Sequence, residues 1–452
     1  MTLNGLKLLD IAAGAVEKAM ARGASGAECT LSEGDEFSAS IRMSEVETLK
    51  EAGSRGAGIR ILAGRRVGSS YTSDLTPEGI AQMLDAAFEI GEITTEDPFA
   101  GLPDARDLGK LEGDLQLYSP DIEAISTPQR IELARRTEAA AFAYDPRIVN
   151  SKGASFDSYT GRRVFSNSLG FSGEYRSSYC SISVMPVGKQ GTVMERDYWH
   201  SSSRRFSGLD EPEAVGRIAA ERVIRRLGAQ KVATQKVPVI FEPRTARSLL
   251  DHLFDAVDGR SIYRSASFLA GKLGEKIAAA SVNVIDDGTL PGLMGTSPFD
   301  DEGVPSRRTV VVEDGVLRNY LLNSYAARKL GLHTTGNASR GITGNAGISN
   351  GNFYLEKGSQ SQEDMIRGVK NGFFVTELIG QGVNIVTGDY SRGAAGIWIR
   401  DGELAFPVSE VTIASTLQEM LAGIVGIGND LLFRSSMESP TLMIGEMTVG
   451  GR

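Results

Sequence analysis

The sequence predicts an α+β protein: an N-terminal domain of helices and antiparallel strands over residues 1–232, then a mostly β domain over 233–452. Three observations predict it. At 452 residues the chain exceeds one average hydrophobic core, so two domains are expected. In the first half, apolar residues recur at helical spacing and then give way to short strand-like segments, twice over. From about residue 280 onward, short apolar runs are cut by dense Gly, Asn and Asp, the texture of strands joined by tight turns.

The first element is an amphipathic helix over 5–22, with Leu9, Ala12, Ala13, Val16 and Met20 at helical spacing and Gly23 ending it. Strands follow at Ala27–Leu31, Phe37–Arg42, Gly58–Ala63 and Val67–Thr72, separated by Gly, Asp and Ser. Pro77 opens a helix at an N1-like position, running to about Ile90. The Pro- and Asp-rich stretch 97–121 reads as a linker between subdomains 1–96 and 122–232. A second cycle starts with a helix from Pro128 to about Tyr144, then strands at 153–159, 162–168, 172–186 and 189–200, then a helix over about 211–227. The turn at Gly64-Arg65-Arg66-Val67 is echoed by Gly161-Arg162-Arg163-Val164. A duplicated helix-plus-sheet unit would explain the echo, and so would chance, because Gly-Arg hairpin tips are common. The domain boundary falls at about 230–236. Beyond it Val237–Phe241 is a strand, and Arg244–Asp258 a helix with Ala246, Leu249, Leu250, Leu253 and Phe254 on its apolar face; one late helix lies near 415–424.

The formal charge of −9 argues against binding nucleic acid or an anionic membrane by electrostatics alone. Cys29 and Cys180 are far apart and have no CxxC spacing, so two buried small side chains are expected rather than a disulfide or zinc scaffold. Near the N-terminus Leu6, Leu8, Leu9 and Ile11 are interrupted by Asp10 and Glu17 before a signal segment can form. No run approaches the roughly 18–20 apolar residues of a membrane span. By elimination a cytoplasmic protein is expected.

Candidate chemistry is sparse. The histidines are His200, His252 and His333, none paired at helical i, i+4 spacing, so the zincin pattern HExxH is absent. Asp251 and Asp255 share a helical face with His252 one step round, which suits a solvated acidic face better than a cation site. Asp286-Asp287-Gly288-Thr289 and Phe299-Asp300-Asp301-Glu302-Gly303 read as turns, with a general acid/base pair as the alternative. Gly380-Gln381-Gly382 lacks the GK[ST] of a phosphate loop; its glycines suit tight turns or the close approach of a peptide strand.

The runs Val375–Asn384 and Val386–Ala394 resemble the signature of PmbA/TldE proteins, in the TldD/PmbA (modulator of DNA gyrase) metallopeptidase family. So do Phe299–Pro305, Thr335–Ala338, Pro407–Ile413 and Gly428–Asp430, in family order up to Val449-Gly450-Gly451. The resemblance covers essentially the whole chain. It implies a two-subunit system that trims unfolded or modified peptides, a microcin precursor and an antitoxin among them. Zinc is expected on the TldD-type partner, held by an HExxxH helix and a later cysteine, and none on this chain. The partner's metal helix corresponds here to a degenerate site: Asp251 and Ala256 stand in the two histidine positions and His252 in that of the glutamate. The later segment Phe433–Pro440 has no cysteine. No catalytic residue is therefore expected on this chain.

The resemblance further implies a peptide cleft, whose candidate residues are Gly382, Asn384, Asp389, Tyr390, Ser391, Arg392, Asp301 and Glu302. A peptide would enter it by strand addition, with 389–392 as its polar wall. The expected partners are a TldD-like catalytic subunit and peptide substrates, with a homodimer left open and no nucleic acid or membrane. The expected role is that of a non-catalytic subunit. The alternatives are an independent metal-dependent hydrolase using the residual carboxylates, or a stand-alone peptide-binding module.

Overall fold

A computed structural model describes residues 8–451. The N-terminal half is built from α1 (Leu8–Ala21), β1 (Gly26–Arg42), β2 (Glu45–Ala63), β3 (Arg66–Thr72), α2 (Pro77–Ile93), α3 (Thr127–Tyr144), β4 (Ile148–Asn167), β5 (Ser172–Gln190), β6 (Val193–Arg196), β7 (Trp199–Ser203) and α4 (Pro212–Ile224). Positions 5–7 of the predicted first helix lie outside the described residues. The helix starts follow local chemistry: Pro77 sits in the first turn of α2, and the Thr76 side chain accepts a hydrogen bond from the Gly79 N–H. At the start of α3 the Ser126 N–H donates to Gln129 Oε1 at 2.9 Å, the reciprocal arm of a capping box.

All these strands share one sheet, in the order β3-β2-β1-β4-β5-β6 with β7 also on β5. Two of the predicted interruptions do not exist. Ala27–Leu31 and Phe37–Arg42 are one strand, and Gly161-Arg162-Arg163 lies in mid-strand rather than at a turn, so the echo of Gly64 is not structural. Gly34 and Gly161 are cross-strand partners beneath the Tyr159 ring; a Cβ on Gly34 would come within 2.6 Å of that ring. These glycines make room for an aromatic side chain, a use the sequence shares with turn glycines.

Strand alternation then places the helices. Leu31 and Phe37 lie on the same face of β1; α1 and α2 cover the Leu31 end, while α3 and α4 cover the Phe37 end. Between the helix pairs Glu33 and Asp35, with Thr160 and Arg162, line an open groove of about 1060 Å³. Cys29 and Cys180 are buried and unpaired, and burial pushes both thiols up to about 12.

The C-terminal half runs β8 (Gln235–Phe241), α5 (Pro243–Val257), α6 (Gly259–Tyr263), β9 (Val284–Asp287), β10 (Arg308–Glu313), β11 (Val316–Leu317), α7 (Ser324–Leu330), β12 (Ala338–Ser339), β13 (Gly347–Ile348), β14 (Phe353–Leu355) and α8 (Gln362–Arg367). It continues with β15 (Asn371–Ile379), β16 (Asp389–Arg400), β17 (Glu403–Thr416), α9 (Leu417–Ala422), β18 (Ile424–Ile427), β19 (Met437–Glu438) and β20 (Leu442–Gly450). The main sheet has the order β17-β16-β15-β8-β20-β18, and an extra β17–β20 pairing closes a small barrel. α5 packs its apolar face, including Leu249, Leu250 and Leu253, into the large core beside it.

The two halves are joined by buried charge. Arg222 on α4 binds Asp197 at 3.1 Å and Glu242, at the start of α5, at 2.5 Å. Arg226 reaches Glu195 at 3.1 Å and also pairs with Glu377 on β15. The 97–121 stretch is tied down too: Arg328 donates to the carbonyls of Phe99, Gly101 and Leu102 at 2.8, 3.2 and 2.9 Å.

Candidate functional site

The site is the contact between α5 and β16. Pro243 starts α5, and its helical period turns Ala246, Leu249, Leu250, Leu253 and Ala256 into the core. That leaves Arg247, Asp251 and His252 half-buried on a neighbouring face, with Asp255 exposed. On β16, alternation sends Tyr390 and Arg392 toward α5, and Asp389 and Ser391 to the opposite face, where both are exposed. The expected four-residue polar wall is therefore divided between two faces of one strand.

The Tyr390 ring meets the His252 imidazole edge-on at 6.1 Å. His252 Nε2 is buried without a hydrogen-bond partner, and so is Arg392 Nε. Burial, reinforced by the Arg392 charge, lowers the His252 pKa to about 4. Burial raises the Asp251 carboxyl, while Arg247 and Arg392 pull it back. Burial also pushes the Tyr390 hydroxyl up to about 12. At neutral pH the imidazole and the phenol are therefore both uncharged.

The segment Phe433–Pro440 lies against α5. Arg247 donates to Ser435 Oγ at 3.3 Å, and Glu438 accepts from the Arg434 N–H at 3.2 Å. Burial raises the Glu438 carboxyl. Arg247 and Glu438 are site residues that sequence reasoning missed. Arg247 lies one helical turn before Asp251, a spacing that was available; Glu438 reaches the site only through the pairing of β19 with β14.

Zinc does not fit these residues. Ala256 offers only a methyl group, and Asp251 and His252 are adjacent on the helix beside the Arg392 guanidinium. Among the described residues, no three His, Cys, Asp or Glu side chains converge on a point that could hold a metal.

The remaining candidates have other partners. The Gly382 carbonyl accepts from the Ser391 N–H at 2.7 Å, and the Asn384 N–H donates to the Asp389 carbonyl at 2.9 Å. A Cβ on Gly382 would overlap the Ser391 carbonyl. These residues close a hairpin, and their backbone groups are already used by it. Asp301 and Glu302 lie in a different network: Asp301 pairs with Arg163 at 2.8 Å, and buried Glu302 accepts from the Ser324 N–H at 2.9 Å. Asp300 does the predicted turn chemistry, its Oδ1 accepting from the Glu302 and Val304 N–H groups. Asp286, read as part of a turn, is a buried residue of β9.

The chain matches family models for the PmbA/TldA metallopeptidase domain 1 at 27–91, central domain at 120–227 and C-terminal domain at 234–451. It is 40% identical to the Metalloprotease PmbA of Escherichia coli O157:H7, over 94% of this chain and 92% of that protein. The chain belongs to the PmbA/TldD metallopeptidase family. Another member, the Metalloprotease PmbA homolog of Haemophilus influenzae, is 37% identical over 97% of this chain and 94% of its own length. A Bacteroides thetaiotaomicron structure described as a candidate modulator of DNA gyrase is 27% identical, with a TM-score of 0.91 and 98% of each chain covered. TldE from Thermococcus kodakarensis, at 22% identity, shares the fold with a TM-score of 0.86 over 98% of this chain and all of its own. Named metalloproteases among its relatives support a peptidase role at the level of the PmbA/TldD family. Among the described residues, no helix is long and apolar enough to cross a membrane.

Proposed function

We propose that this chain is the non-catalytic subunit of a TldD/TldE-type heteromeric metallopeptidase, acting with a TldD-like catalytic subunit on unfolded or modified peptides. The observation that carries it is the Arg392 guanidinium beside His252, on a helix whose remaining ligand position is the buried Ala256. A cationic side chain there opposes a divalent metal and leaves no metal-bound water for His252 to act on. Zinc chemistry then belongs to the partner. The outward residues of β16, Asp389 and Ser391, with exposed Ile379 on β15, are the surface left for guiding a peptide.

The test is metal analysis of the dialysed chain, with peptide cleavage measured for the chain alone, for a TldD-like protein alone and for both. Inert, zinc-free chain that raises cleavage by the partner supports the proposal. One equivalent of zinc in this chain alone, lost in Asp251→Ala, would favour an independent hydrolase.

A further inference from the structure

The N-terminal sheet leaves one long edge open. β2 pairs with β1 from Glu45 to Leu62, whereas β3 covers only Ala57–Ala63 on the other side. Among the described residues no strand pairs with that side between Glu45 and Arg55, so about 37 Å of backbone edge stands free, at about 3.4 Å per residue. Every residue of the stretch is exposed except the half-buried Ala52. Sheet edges are normally blunted by proline, by a bulge that turns the strand away or by a covering element, because unpaired N–H and C=O groups recruit other chains. This stretch has no proline, and its one register shift lies near the tip, opposite Ser40 and Ile41.

The edge is also held ready. The turn residues Met43 and Ser44 adopt positive φ, 51° and 68°, without being glycine. Buried Glu138 of α3 fixes that turn, accepting from their N–H groups at 3.1 and 2.8 Å. Register sets what the edge displays. Val46 and Leu49 stand opposite Ile41 and Ala39, on the face covered by α3 and α4, yet remain 45% and 54% exposed. Glu51 and Arg55 follow on the same face, opposite Phe37 and Glu33, with no ion pair to either among the described residues. Lys50, on the other face, is already paired with Glu36 at 3.2 Å.

We infer that the Glu45–Arg55 edge receives a strand of the catalytic partner subunit, which continues the sheet of this chain across the interface. The inference rests on the heteromeric reading above. The added strand sets apolar side chains over Val46 and Leu49, a basic one beside Glu51 and an acidic one beside Arg55. A second copy of this chain is a poor occupant. Antiparallel pairing about a two-fold axis at the centre of the stretch sets Lys50 against Lys50. Moved one residue toward the tip, the axis sets Glu47 against Glu51; moved one residue toward β3, it sets Glu51 against Glu51. A transient peptide would leave Val46 and Leu49 in water between encounters, whereas a permanent interface keeps them covered.

The test is amide hydrogen exchange of the full chain, alone and with a TldD-like protein, with complex formation followed by size-exclusion chromatography and light scattering. We expect a complex in which the 45–55 amides exchange at least tenfold more slowly than in the chain alone. Val46→Lys/Leu49→Lys should weaken that complex at least tenfold. The exchange readout needs wild type only, so it decides even where the variant does not fold. A complex with unchanged exchange at 45–55 would overturn the inference and leave the heteromeric reading standing, whereas no complex with the wild-type chain would end both. Protection of 45–55 by self-association or by an unfolded peptide, with none from the TldD-like protein, would overturn the assigned occupant.

Discussion

On the proposed reading, Arg392 brings a positive charge to the face of α5 that corresponds to the partner's metal helix. Restoring ligands alone is therefore insufficient. The triple variant Asp251→His/His252→Glu/Ala256→His should bind zinc no better than wild type, whereas adding Arg392→Ala should improve affinity measurably, read by zinc titration with a chromogenic chelator. His252 supplies a pH prediction. Its folded pKa of about 4 lies below its ordinary 6.5, so the unfolded chain binds the extra proton first. Stability is full above about pH 6.5 and falls as the pH drops toward 4. Because the ring is partly solvated, we expect a loss of about 1–2 kcal/mol, absent in His252→Gln and visible in urea unfolding at pH 7 and pH 4.5. At this scale one fact is independent of the fold: Ala256 has no donor atom to offer a metal. The sequence was silent about the charge nearby, since only the packing of β16 on α5 brings Arg392 to His252.

Among the elements, the long strands of the N-terminal sheet show where local signals mislead. Glycine marks turns because it tolerates positive φ, as at Gly64, but it also marks sites where another group crosses the backbone. Gly34 and Gly161 are of the second kind, which is why two continuous strands read as four segments. Helix starts were legible because caps and Pro act within one turn. Gly58 yields an element-scale test. A Cβ there would overlap the Ile342 carbonyl of the loop resting on β2. Backbone cannot move aside as a flexible side chain can, so Gly58→Ala should cost about 1–3 kcal/mol by overpacking, seen as a lower urea midpoint. A control at Gly14, where a Cβ meets nothing within 4 Å, should be neutral or stabilising.

Over the whole molecule, buried ion pairs tie the two halves together. Arg222 is 6% exposed and holds both Asp197 and Glu242, so Arg222→Ala leaves two buried carboxylates short of a partner. Losses of about 3–5 kcal/mol are expected, with unfolding split into two transitions by calorimetry. The α+β class and the order of elements followed from periodicity and punctuation. The joining of residues 8–93 and 127–224 into one sheet did not, because strand pairing at long range leaves no local mark. Family-wide motifs reached further than periodicity here, yet Asp301 and Glu302, singled out by them, serve the seam rather than the α5 face.

The central claim is that this chain supplies structure and peptide contacts to a peptidase whose metal lies on another subunit. The most direct measurement is zinc content and peptide cleavage for a complex of this chain with a TldD-like protein, beside each component alone. The account predicts an inert, zinc-free chain, and a complex that carries zinc on the partner and cleaves unfolded peptide faster than the partner alone. Zinc-dependent cleavage by this chain alone, or partner activity indifferent to its presence, would contradict it.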